Sequence, residues 1–334
     1  MKYISIIVLL AGSQIIFCQA FEWNSGFHGF FDNREYFNKY TTPQTIFGSR
    51  IYFELGFSIK ENHHFKGGFN YMHEFGSKEK WIDPDAILYY NFSNEKTKFF
   101  FGSFPRKGLI KQPSILLSDT LDYYRTNVEG IFAELKKNWG YQNIWLDWTS
   151  RQTITNNEAF LLGGSGMLQK NKFILQEHFQ MYHHAGTAVD TAFHIRDNAG
   201  AVIQAGFDFS SSTIFDSLVI LTGYTYSYDR LRHTYDFKHY HGSLTEVLIQ
   251  YKFFGIKETF YTGDGQVQLY GDGFYKSYVY NRLDLFVYPF YKDNVDVKIQ
   301  YSIHDVPSKI DFSGYIHVYV NFGGRIKVKE NYLN

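Results

Sequence analysis

Residues 46–59, IFGSRIYFELGFSI, put an apolar side chain at nearly every second position. Phe47, Ile51, Phe53, Leu55, Phe57 and Ile59 share one parity, with Ser49 among them, while Gly48, Arg50, Tyr52, Glu54, Gly56 and Ser58 take the other. Successive side chains of a β-strand point to opposite faces, so this stretch has one oily face and one wet, charged face. It is longer than the usual globular strand of about 5–6 residues and long enough to cross a bilayer at a tilt. A chain built from such staves has to keep oil on one side and water on the other.

The pattern recurs. Val295, Val297, Ile299, Tyr301 and Ile303 alternate with Asp296, Lys298, Gln300, Ser302 and His304, and Ile316, Val318, Val320 and Phe322 alternate with Tyr315, His317, Tyr319 and Asn321. The same reading predicts strands at 23–31, 46–59, 65–74, 86–92, 97–104, 128–135, 142–151, 158–166, 172–182, 201–209, 218–229, 241–253, 256–262, 278–288, 295–304 and 314–322. That is about sixteen, an even number, as closed single-chain membrane barrels have. The connections between them alternate in length. Those at 60–64, 93–96, 136–141, 167–171, 210–217, 254–255 and 290–294 are mostly short. Those at 33–45, 75–85, 105–127, 183–200, 230–240, 263–277 and 305–313 are long, and 152–157 is brief. Short turns at one end and long loops at the other are the pattern of transmembrane barrels. Pro43, Pro84, Pro105, Pro113 and Pro307 fall in the long set, and Pro289 just past a strand end, where a missing N–H costs no ladder bond.

An Arg or Lys facing lipid at mid-membrane costs roughly 2–4 kcal/mol, so Arg50, Glu54, Asp147, Arg282, Asp284, Asp296 and Lys298 are assigned to the inner face. Glu177 breaks the rule, because it shares a parity with Phe173, Leu175, Phe179 and Met181, and implies either a bulge or a different register.

The first twenty residues read as a secretory signal: Lys2, an apolar core at 3–17, and a small-x-small site at Cys18-Gln19-Ala20, with cleavage before Gln19 as an alternative. Cys18 is the only cysteine, so disulfides, thiolate metal sites and cysteine nucleophiles are excluded from the processed chain. After this segment no run approaches the 18 or so apolar residues of a membrane helix. The 34 Phe and 28 Tyr suit the aromatic girdles of a barrel at its two interfaces. The mean hydropathy of -0.31 is compatible with this, because half of a barrel wall faces water. Lys+Arg and Asp+Glu balance at 33 each, which leaves no basic footprint for nucleic acid.

The predicted fold is thus all-β, an antiparallel up-and-down transmembrane barrel over 21–334 with a tail at 323–334. In architecture it resembles bacterial outer-membrane general porins. That resemblance implies a passive channel for small hydrophilic solutes or ions, with outer-membrane lipid and lipopolysaccharide as surroundings, a homotrimer as one possible assembly, and no cofactor. It also implies that the loop at 105–127 folds inward as a constriction carrying Arg106, Lys107, Lys111, Asp119, Asp122 and Arg125 beside Arg50, Glu54, Asp147, Arg282, Asp284 and Lys298. Burial against the inner wall accounts for Ile115-Leu116-Leu117 in such a loop. No catalytic residue is expected and the chain is read as no enzyme. The alternatives are a barrel hydrolase at the cell surface and a closed structural or adhesive barrel. His183, His184, His194 and Asp197 are the candidates for a metal, or for a base and its orienting acid.

Overall fold

A computed structural model describes residues 20–78, 84–189 and 195–327. Residues 1–19 of the expected signal, His194, and 328–334 of the expected tail lie outside the described residues, while Ala20 belongs to the first strand and 323–327 to the last. The strands are β1 Ala20–Glu35, β2 Gln44–Ile59, β3 His63–Glu74, β4 Asp85–Ser93, β5 Thr97–Pro105, β6 Asn127–Lys137, β7 Gly140–Ser150, β8 Ala159–Lys170, β9 Phe173–His184, β10 Arg196–Asp208, β11 Ser217–Leu231, β12 Tyr235–Tyr251, β13 Phe254–Gly263, β14 Val279–Lys292, β15 Val295–Val306 and β16 Lys309–Lys327. Each pairs antiparallel with its sequence neighbours, and β1 pairs with β16, so the sheet closes without an edge. Closure lets every strand satisfy its backbone groups within the wall, which hydrocarbon demands.

The parity read from the sequence sets which face is which. On β2, Phe47, Ile51 and Leu55 are more than two-fifths exposed on the outer wall, whereas Arg50 and Glu54 point inward and are buried. Glu177 needs no bulge. Both ladders of β9 run without a register shift, so Glu177 does face outward, close to the start of the strand. Its carboxylate lies beside the Gln142 amide over Gly166, where a Cβ would meet both side chains.

Ala20 and Lys327, the first and last described residues, pair at the end of tight turns, where Lys60, Glu61, Asn171, Lys252 and Asp293 adopt positive φ. The opposite end carries the long loops, with two corrections. The connections expected at 230–240 and 305–313 are tight turns at 232–234 and 307–308, because the strands extend beyond their predicted ends. The β11–β12 hairpin is held by cross-strand rings: Tyr228 meets Phe237 edge-on at 5.4 Å and Tyr226 stacks on His239 at 5.9 Å. Pro289 lies inside β14 rather than past its end, at the register shift between Val287 and Phe290, where the ladder is already interrupted.

A sixteen-strand wall is too wide for its own side chains to fill. Here two loops from the long-loop end, 106–126 and 264–278, fold into the bore. Ile115 and Leu116 pack with Phe274 and Tyr275 of the second loop and with Val202, Leu244, Tyr261 and Tyr280 of the inner wall. Leu109 and Ile110 pack on a second cluster formed by Ile87, Phe104, Val128, Phe132, Trp145 and Leu161.

Ile51→Arg, which places a guanidinium on the lipid face of β2, is expected to lower stability in phospholipid vesicles by about 2–4 kcal/mol in denaturant titrations. Tyr52→Arg, on the opposite parity, should cost much less.

Candidate functional site

The twelve charged residues expected to line a constriction fall into two groups. Arg50, Glu54, Asp147, Arg282, Asp284 and Lys298 lie on the inner wall, and Arg106, Lys107, Lys111, Asp119, Asp122 and Arg125 lie on the 106–126 loop or its single helical turn at Leu121–Tyr124. Several are engaged in holding the loop down. The Arg106 guanidinium bonds the buried Asp147 carboxylate, which also accepts from Arg125 Nη2 at 3.2 Å and from the Glu129 backbone N–H at 3.1 Å. Arg50 donates to the Tyr123 carbonyl and to Asn70, and to Thr126 Oγ1 at 3.1 Å. Arg34 bridges Asp32 at 2.7 Å and Asp119 at 2.9 Å. The Lys111 carbonyl accepts from Ser165 Oγ at 2.8 Å. Across the bore Gln180 Nε2 donates to the Leu116 carbonyl at 2.8 Å. Arg282 pairs with Asp284 at 2.7 Å, and Lys298 donates to Tyr315 Oη at 2.9 Å. Glu54 faces Lys66 at 3.8 Å. In the second loop burial, reinforced by Asp119, pushes the Asp272 carboxyl up to about 6, while its oxygen caps the Phe274 N–H. Burial, with Asp119 again next in weight, also raises Asp122.

Two serine–histidine pairs also meet inside the bore. Ser313 Oγ lies 2.9 Å from His304 Nε2, whose Nδ1 faces Tyr280 Oη at 2.7 Å. Ser165 Oγ lies 3.0 Å from His178 Nδ1. All four side chains are buried. Phe274 stacks on His304 at 4.5 Å, and the loop chain covers Ser165 through Lys111 and Gln112. Neither pair is open to a substrate, and the wall of the barrel separates both from lipid.

The outer wall at the long-loop end is different. His183, near the top of β9, and its cross-strand neighbour Asp197 on β10 both face outward, with Nδ1 to Oδ1 at 3.3 Å. Arg232 holds the same carboxylate at 2.9 Å through Nε. Phe160 of β8 packs on the His183 ring at 5.1 Å, and Trp148 of β7 stacks on Phe160 at 5.4 Å. With Nδ1 turned to Asp197, Nε2 is the nitrogen left for chemistry. The imidazole is partly exposed.

Below this pair β10 presents only methyl groups, Ala199 and Ala201, between the larger outward residues Met181 and Phe179 of β9 and Tyr228 and Tyr226 of β11. The tyrosines turn away from β10: Tyr226 Oη bonds His239 at 2.6 Å, Tyr224 Oη bonds His241, and Tyr228 packs on Phe237. A shallow lane therefore runs down the wall from His183. His184 lies on the opposite parity, beside Tyr182 in the bore, so His183, His184 and Asp197 do not form one ligand set among the described residues. Arg196 pairs with Asp229 at 2.9 Å, inside the wall. Among the candidates His183, His184, His194 and Asp197 the sequence singled out no pair, and it missed that His183 and Asp197 both face outward. Parity held that signal, since His183 alternates with the inward His178, Gln180 and Tyr182.

Closed wall, tight turns and outward oil define a bacterial outer-membrane β-barrel. Solved structures share this fold: a loop-deletion variant of the outer-membrane protein OmpT of Vibrio cholerae (9% identity, covering 90% of this chain and 99% of that one, TM-score 0.57) and Salmonella typhi OmpF in complex with daunomycin (9%, 90% and 97%, 0.51). A mutant of the Rh. blastica porin is similar to the same extent (9%, 90% and 100%, 0.51). At these identities the likeness is one of fold alone. The family model of the lipid A 3'-O-deacylase-type proteins matches residues 20–330, and the chain belongs to that family. No curated protein matches it. Membership of an enzyme family overturns the expectation that the chain is no enzyme.

Asp147→Asn strands two guanidiniums against a neutral amide. Breaking a buried pair costs about 3–5 kcal/mol, so the 106–126 loop should undock. Trypsin should then cut the folded variant at Lys107 or Lys111 while sparing the parent, and planar bilayers should show open-pore steps that the parent lacks.

Proposed function

We propose that the protein is an acyl-ester hydrolase of the bacterial outer membrane that acts on an acylated glycolipid of the outer leaflet, with the outward His183–Asp197 pair as its reacting centre. The observation that carries this reading is the place of the pair. An amphiphile held in a leaflet can reach only the outer wall, and here a histidine with an orienting carboxylate stands at the rim of that wall. The family's description supplies the substrate class, a lipid A carrying an O-linked acyl chain.

The chemistry follows from what the pair can do. His183 Nε2 takes a proton from a water molecule as its oxygen attacks the ester carbonyl. Asp197 holds the ring orientation through Nδ1 and stabilises the imidazolium. Collapse of the tetrahedral intermediate breaks the bond between the acyl carbon and the sugar oxygen. That oxygen leaves with the proton from Nε2, so the products are a fatty acid and a free sugar hydroxyl. Arg232 fixes the carboxylate and adds a positive charge at headgroup level, suited to an anionic lipid. The lane over Ala199 and Ala201 lets the acyl chain lie against the wall with its ester at the histidine. A freely conducting pore fits less well, because both inward loops pack across the bore.

Purified barrel is to be incubated with lipid A in mixed micelles and the released fatty acid measured. His183→Gln should lower the rate by about 10²–10⁴-fold, the usual worth of a general base, with Asp197→Asn intermediate and His184→Gln near the parent. Equal rates for parent and His183→Gln would remove the pair from the reaction. Ala201→Phe, which fills the lane, should depress release of a long acyl chain more than that of a short one, read as a rise in KM on chain-length variants.

A further inference from the structure

The bore holds a feature that the outer-wall chemistry does not use. Under the roof made by the 106–126 loop lies a cavity of about 340 Å³, bordered by Arg50, Glu54, Asn70, Arg106, Lys107 and Asp122. That volume is at the small end of the roughly 300–1,000 Å³ range of small-molecule sites. Three buried donors around it have no partner: Arg50 Nε, Asn70 Nδ2 and Arg106 Nη1. Their residues are only 6%, 3% and 2% exposed. One buried acceptor, Glu54 Oε1, is also unpartnered. Native interiors rarely leave such groups unmatched.

The charges do not balance either. Arg106 and Arg125 share the single carboxylate of Asp147. The ion-pair partner of Arg50 is Asp85, 3.8 Å away and mostly exposed. The Lys107 ammonium rests over the Tyr319 ring rather than in an ion pair. A positive excess with convergent N–H donors calls for an oxyanion, and guanidinium forks match carboxylate and phosphate geometry.

We propose that this cavity binds a small hydroxylated oxyanion, a carboxylate or phosphate monoester, with Arg50, Asn70 and Arg106 on the anionic group and Glu54 Oε1 accepting from a hydroxyl. The barrel wall separates the cavity from lipid, so the ligand is water-soluble and arrives along the bore. The site is independent of His183.

Isothermal titration of the full-length folded barrel with inorganic phosphate, glycerol phosphate and citrate at constant ionic strength tests this. At least one should saturate a single site and raise the Tm, and glycerol phosphate should bind more tightly than inorganic phosphate. Asn70→Leu should weaken binding about tenfold, and His183→Gln should leave it unchanged. Arg106→Gln should abolish binding, and if that variant does not fold, Asn70→Leu decides alone. Absence of saturable heat with all three anions overturns the proposal. So does binding that Asn70→Leu leaves intact, the mark of an adventitious ion only.

Discussion

Hydrocarbon offers no partner to a backbone N–H or C=O, and the rest of this molecule depends on that. An open sheet in lipid would leave two rows of unpaired groups, each costing several kcal/mol. The ladder between β1 and β16 removes both rows. Once the wall is closed, each strand has one parity in oil and one in water. A slip of one residue would put Arg50 and Glu54 in the acyl chains, so the charges themselves hold the register.

Closure creates a second problem, because a wall this wide encloses more space than its side chains can fill. Two loops solve it by different means. The 106–126 loop brings Ile115 and Leu116, which build an apolar core inside the bore with Val202, Leu244 and Tyr261. It is clamped at its ends by Arg106, Arg125 and Arg50. The 264–278 loop adds Phe274 and Tyr275 from the opposite side. The inner wall is accordingly less polar than a water-filled lumen requires, and several of the charges expected to face solute hold the loop instead. The two surfaces of the barrel differ in what can reach them: the outer wall at His183 is open to an amphiphile, and the cavity under the loop is separated from lipid by the wall.

The legible part of the sequence was the periodic part. Alternation and loop parity led to a closed antiparallel barrel of sixteen strands, but the bulge or altered register expected at Glu177 is absent, and that carboxylate faces outward in an unbroken ladder. Where the sequence misled, a local signal was outweighed by contacts it does not display. Polar residues at 230–240 look like loop, yet cross-strand Tyr, Phe and His rings carry β11 and β12 beyond their predicted ends. Pro289 looks like a terminator, yet a register shift accommodates it. The resemblance to porins described the architecture, while its expectation of no enzyme is overturned by the family match, which favours the barrel-hydrolase alternative, since a fold alone does not fix function.

What the sequence by itself determined is the wall, because a two-residue period needs only neighbouring positions to be read and the membrane supplies the rest. What only the tertiary structure decided is where the chemistry sits. His183 and Asp197 are adjacent through a cross-strand register, and Arg232 reaches Asp197 from the turn that follows β11. Asp147 gathers Arg106 and Arg125 from the two ends of one loop. Those meetings depend on distances between residues far apart in the chain, and composition and period contain no such distances.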